Sequence, residues 1–264
     1  MEEARERDGP TLVLFDLDDT LFDDRYARLA ALRELRRIEP ALARRPLSLL
    51  SRESGRLLDA GCPDVLFGGV RAEEARALRF ERLAMFCGEE MTAPRAPELA
   101  AQYRATHEQN RRAVPGARRL LEKLRVTARI GIGTNWIGAE QVEKLRAIGL
   151  NDVVDFLVAP DTTHAAKPDP RIFRHALRVG QQSPPERAVM VGDSLENDVR
   201  GARASGIRAV WLNRWRLSAP PGESVAQTSS FVPTPRAHDR IVRGSQLTTG
   251  STPALASDGA NPSR

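Results

Sequence analysis

Leu12-Val13-Leu14-Phe15-Asp16-Leu17-Asp18-Asp19-Thr20-Leu21 is a short apolar run that passes straight into carboxylates. Val13, Leu14 and Phe15 carry no polar alternation, which is the pattern of a strand buried on both faces. Asp16 and Asp18 then sit at its C-terminal end, where open α/β sheets place their ligand sites. Residues i and i+2 of an extended chain point the same way. Two like charges this close are costly unless a cation or a shared proton relieves them. A calcium loop of the D-x-D-x-D-G type does not fit, because Thr20 and Leu21 stand where Asp and Gly are needed and Ala27 replaces the closing Glu.

Working outward, residues from about 24 to 112 read as several helices without a strand. Leu29, Leu32, Leu35 and Ile38 keep a helical stripe, and Pro40, Pro46, Gly61-Cys62-Pro63, Gly68-Gly69 and Pro94/Pro97 punctuate the region. From Val114 the pattern changes to alternating elements. Helices are expected over 117–124, 139–148, from Pro170 to near Gly180 and over 197–204. Strands are expected over 129–133, 156–159, 188–191 and 208–212. Such alternation calls for a Rossmann-like, doubly wound parallel sheet, an α/β fold with an inserted α-helical unit. After residue 216 the chain is rich in Pro, Ser, Thr and Gly with almost no periodic apolar pattern, and a disordered tail is expected over 217–264.

Three more strand ends carry chemistry. Thr134-Asn135 follows the strand 129–133, and a hydroxyl, an amide and backbone N–H groups at such a turn can hold phosphate oxygens. Lys167 immediately precedes a rigid Pro168-Asp169-Pro170 helix start, with Asp169 as N-cap. Its ammonium suits a nucleophilic carboxylate and a transferring phosphoryl group together. Val189-Met190-Val191-Gly192-Asp193-Ser194-Leu195-Glu196-Asn197-Asp198 repeats the strand-into-carboxylate pattern, and hard oxygen ligands from Asp16 and Asp193 suit Mg²⁺.

In order, these four segments resemble the haloacid dehalogenase (HAD) superfamily of phosphohydrolases, in the branch with a helical cap inserted after the first strand. The resemblance spans roughly residues 11–214. It implies a catalytic core of residues 10–23 and 113–216, a cap of residues 24–112, and a sheet with its first strand central, the second and third on one side and the fourth and fifth on the other. It implies that Asp16 is the nucleophile forming an aspartyl-phosphate and that Asp18 is the general acid and then base. It further implies that Mg²⁺ is bound by Asp16, the backbone carbonyl of Asp18 and Asp193. Thr134, Asn135 and Lys167 would hold the phosphoryl group, and Asp198 would support the lysine and metal network.

Asp18 separates the branches of that superfamily: hydrolytic dehalogenases usually lack this second aspartate. Phosphonate-cleaving relatives need a lysine in the cap, and none occurs between Asp24 and Arg112. The expected activity is therefore Mg²⁺-dependent hydrolysis of a small phosphorylated metabolite. A phosphosugar mutase keeps both aspartates and stays open, as does a non-enzymatic phosphate- or partner-binding module. Trp136 stands where a small residue is usual, and the 159–166 lead-in to Lys167 is less acidic than usual.

The formal net charge of +5 over 264 residues comes from 37 Arg and three Lys against 35 acids. Acids and arginines interleave without a basic arm or an aromatic platform, so nucleic-acid binding is not expected. Arg71, Arg76, Arg79 and Arg104 are expected as helix-surface charge, and His107 as packing or surface. With two cysteines, no membrane-length apolar run and a charged start, a cytoplasmic setting without membrane contact is expected. Oligomeric state is not encoded in these patterns.

Overall fold

In the computed structural model, which describes residues 9–91 and 93–243, β1 (Leu12–Phe15) lies at the centre of a parallel sheet. The other strands are β2 (Arg129–Gly133), β3 (Phe156–Val158), β4 (Ala188–Gly192), β5 (Arg208–Leu212) and β6 (Ala226–Thr228). Their order is β3-β2-β1-β4-β5-β6. The expected α/β fold and central β1 are found.

Strand alternation divides the core into two layers. Val13, Phe15, Ile130, Ile132, Val189 and Val191 face one side. There they meet Leu120, Leu121 and Leu124 of α6 (Ala117–Leu124). Leu12, Leu14, Ala188 and Met190 face the other side, against Ile172, Phe173 and Ala176 of α9 (Pro170–Val179). Each Val, Leu, Ile, Phe or Met side chain among these, fully buried, contributes roughly 1.5–3 kcal/mol before chain entropy opposes it.

Between β1 and β2 lie α1 (Asp24–Ile38), α2 (Pro40–Ala43), α3 (Leu47–Leu66), α4 (Ala72–Phe86) and α5 (Arg95–Gln109). They bury an apolar cluster of their own, built on Leu32, Leu35, Leu50, Phe80, Leu83 and Leu99. Gly61-Cys62-Pro63 does not break this region as expected. Pro63 lies inside α3, three residues before its end; lacking an N–H it cannot donate to the Asp59 carbonyl, so it costs one helical hydrogen bond without ending the helix.

The tail expectation needs correction over 217–243. β6 pairs in parallel with β5, and α11 (Thr234–Arg243) returns over the sheet. Phe231, Ala237 and Ile241 are buried in the same layer as Phe15. Gly116 has a φ of +85°, and a Cβ there would strike the backbone of Phe231, so glycine lets the two segments meet. The remaining expectation, over 244–264, lies outside the described residues. No helix among the described residues is long and apolar enough to cross a membrane.

Candidate active site

Register brings the sequence motifs together. Phe15 is level with Ile132 of β2 and Val191 of β4, so all three strands release their chains at one edge. The Asp16 N–H still donates to the Val191 carbonyl at 2.9 Å, which holds the first carboxylate against β4.

Lys167 is the centre of the arrangement. It is buried, and its Nζ donates to Asp16 Oδ1 and to Asp198 Oδ1, each at 2.7 Å. It is positioned from both sides: its backbone N–H donates to Asn135 Oδ1 at 2.6 Å, and the Asn135 amide donates to the Lys167 carbonyl at 2.8 Å. Asn135 is thus tied to the lysine loop as well as lining the cleft. Asp198 Oδ2 accepts from the Ser194 N–H at 3.0 Å, in the π-helical turn Leu195–Arg200 that follows β4. Gly192 is required here, because a Cβ at that position would occupy the space of the Asp198 carboxylate.

The carboxylates of Asp16, Asp193 and Asp198 place one oxygen each within 4.8 Å of one another. One ammonium cannot neutralise three acids, two of them buried and Asp193 half-buried. Burial, opposed by Lys167 but reinforced by Asp198 and Asp18, pushes the Asp16 carboxyl up to about 7. Burial, with the charges of Asp16, Asp198 and Asp19 and against Lys167, raises Asp193 well above the ordinary carboxylate range. Burial alone would depress Lys167, but the charges of Asp16 and Asp198 win and hold it above its usual value. An acidic cluster of hard oxygens with too few cations fits a divalent cation. Both Asp198 oxygens are already engaged, so Asp16 and Asp193 are the better placed ligands.

Asp18 lies across the cleft, and two side chains that the sequence reading passed over hold it. Gln141 Nε2 donates to Asp18 Oδ2 at 2.8 Å, and Lys144 Nζ to Asp18 Oδ1 at 2.5 Å. The same Gln141 amide reaches Thr134 Oγ1 at 2.5 Å, joining Thr134 to Asp18. Gln141 and Lys144 lie one turn apart on α7 (Gly138–Ala147) and share a face. With three lysines in the chain, Lys144 at that spacing after Thr134-Asn135 was the available signal.

The cleft has a volume of about 690 Å³ and reaches from these strand ends to the helical insert. The surface-charge expectation holds for Arg71, whose side chain is 76% exposed, and only in part for Arg104, which is 42% exposed and pairs with Glu108 at 2.9 Å but also borders the cleft. It fails for Arg79, which is 8% exposed, and for Arg76, which lines the cleft and reaches Glu140 at 2.5 Å. Both point inward because α4 packs that face against α5 and the cleft. His107 is largely buried and bonds Asp24 at 2.9 Å. Trp136, whose Nε1 donates to Glu140 at 2.7 Å, also lines the cleft.

The family model for haloacid dehalogenase-like hydrolases matches residues 10–206. The chain belongs to this family. It is 34% identical over 223 residues to the phosphoserine phosphatase of Thermus thermophilus, covering 77% of this chain and 88% of that one. It is 38% identical over 117 residues to the pyrimidine 5'-nucleotidase YjjG of Escherichia coli, a match covering 44% of this chain and 52% of that protein. Among solved structures, the magnesium-bound HAD-hydrolase YfnB of Bacillus subtilis aligns with a TM-score of 0.68 at 23% identity, over 87% of this chain and 99% of that one. The likeness extends over the insert as well as the sheet.

Proposed function

We propose that this HAD-like hydrolase is a Mg²⁺-dependent phosphomonoesterase that acts on a small phosphorylated metabolite through an aspartyl-phosphate on Asp16. The observation that carries this reading is the buried Lys167 bridge to Asp16 and Asp198 beside Asp193, at the C-terminal edge of the sheet. A relative named as a phosphoserine phosphatase and one named as a pyrimidine 5'-nucleotidase support the reaction class, and their differing names point to no single metabolite. A magnesium-bound neighbour of the same fold supports the choice of metal.

The side chains divide the work as phosphoryl transfer requires, by positioning and charge neutralisation. Lys167 engages Oδ1 of Asp16, leaving Oδ2 to attack phosphorus. As the ester P–O bond breaks, the leaving oxygen takes a proton from Asp18. Asp18, now a carboxylate, accepts a proton from water as that water attacks the same phosphorus. The Asp16–phosphorus bond then breaks and phosphate leaves. The hydrogen bonds from Gln141 and Lys144 hold Asp18 in the accepting state of this second step. Asp16, Asp193 and the Asp18 carbonyl would hold Mg²⁺, which would supply charge neutralisation for the phosphoryl group when bound.

The test is phosphate release from an aryl phosphate, a nucleoside monophosphate, a sugar phosphate and a phosphorylated amino acid, with Mg²⁺ or with EDTA. Release that needs both Mg²⁺ and Asp16, and is lost in Asp16→Asn, is the expected result. Asp16-independent release, or phosphoryl movement within a sugar without release, would overturn the reading.

A further inference from the structure

Among the described residues most charges lining the cleft pair off, leaving Asp59 and Asp193 on the acidic side and Arg79 on the basic side. Lys167 takes Asp16 and Asp198, Lys144 takes Asp18, and Arg28 takes Asp24 at 2.6 Å. Arg76 takes Glu140, while Arg104 and Arg111 share Glu108. Asp193 is left for a metal. Arg79 is left with no acid partner among the described residues, although it is buried and lines the same cleft.

Its surroundings make that isolation informative. The guanidinium lies 4.7 Å from the Tyr103 ring centroid and 5.0 Å from that of Phe80, and its Nε has no hydrogen-bond partner. Aromatic faces attract a cation but return only part of what burial removes. Burial is the largest influence lowering its affinity for its proton; the charges of Arg76 and Arg28 add to it, and Tyr103 and the more distant Asp24 oppose it only in part. An arginine remains charged under these conditions. A planar donor fork without an anion, facing open space, is matched by a carboxylate or a phosphate.

Resting on the phosphomonoesterase reading above, we propose that the substrate carries a second anionic group, a carboxylate or a second phosphate, and that Arg79 receives it while the scissile phosphoryl group sits against Asp16. The cleft has space for this. Its volume of about 690 Å³ lies in the range of sites that enclose a whole small ligand and not a phosphate alone. Tyr103 and Arg76 border the Arg79 position and shape the entry to it. The insert thus selects by charge at one end of the substrate while the strand ends do the chemistry at the other.

The test compares matched phosphomonoesters that differ in the second anion. O-phosphoserine is set against O-phosphoethanolamine for the carboxylate, and fructose 1,6-bisphosphate against fructose 6-phosphate for the second phosphate. Binding to Asp16→Asn protein with Mg²⁺, measured by calorimetry, reads recognition apart from turnover, and kcat/KM is measured on the wild type. We expect at least tenfold preference for the doubly anionic member of one pair, and that pair names which anion is read. In Arg79→Met the same ratio falls toward one. Wild-type ratios near one in both pairs would overturn the inference, whatever Arg79→Met does, so the test stands even if that variant folds poorly. A ratio unchanged in a folded Arg79→Met protein would overturn it as well. Failure of the phosphomonoesterase reading is seen separately, as loss of Asp16-dependent turnover of the aryl phosphate while the binding ratios persist.

Discussion

Lys167 and Gly192 show how much of the site depends on single positions. The lysine spans two buried carboxylates, and the glycine gives one of them, Asp198, its space. Gly192→Ala is therefore expected to lower the urea midpoint by the equivalent of about 2 kcal/mol, the usual cost of overpacking. It should also reduce phosphate release by moving Asp198 off Lys167. A variant with unchanged stability and activity would contradict that geometry. Asp16, Asp18, Lys167 and Asp193 were legible because each stands where a strand or a rigid turn ends in a charged side chain. Gln141 and Lys144 were harder to see, since a polar pair at i,i+3 on a helix also describes an exposed face. Arg79 was misread for that reason: its helical spacing matches a solvated stripe, and only the packing of α4 against α5 buries it.

Among the elements, β1, β2, β4 and β5 were plain in the sequence because continuous apolar runs of four or five residues have few other uses in a chain of this composition. β6 was not. It has three residues, of which Ala226 alone is buried, and it lies in a Pro- and Ser-rich stretch. α11 offers only Ala237 and Ile241 as an apolar pair at i,i+4, too short a stripe to stand out. What anchors this segment is Phe231, fully buried and edge-on to Phe15 with ring centroids 6.3 Å apart. Phe231→Ala is expected to cost about 3 kcal/mol through lost burial and the cavity left under β1, read from urea unfolding. An unchanged midpoint would mean that residues 226–243 add nothing to the core.

At the scale of the whole molecule, the insert and the sheet meet at a charged seam. Asp23 joins Arg112 at 2.6 Å and Arg214 at 2.8 Å, tying both ends of the insert to the segment after β5. One residue on, Asp24 bonds His107 and Arg28. Burial opposes ionisation of Asp24, but the His107 hydrogen bond with the Arg28 and Lys144 charges outweighs it and holds the carboxyl below its ordinary range. A depressed carboxylate stabilises the fold above its unfolded value, near 3.9, and that contribution fades as pH falls below it. Asp24→Asn should thus cost about 3 kcal/mol at neutral pH, with the gap to wild type closing in unfolding measurements below about pH 4. A gap independent of pH would contradict this account of the seam. The central claim, that the cleft between insert and sheet transfers a phosphoryl group to Asp16, is tested most directly by acid-quenching the protein during turnover of an aryl phosphate with Mg²⁺ and mapping the peptides. The expected result is a phosphoryl group on Asp16, absent from Asp16→Asn; turnover with the group on another residue, or with no phosphorylated peptide at any quench time, would contradict it.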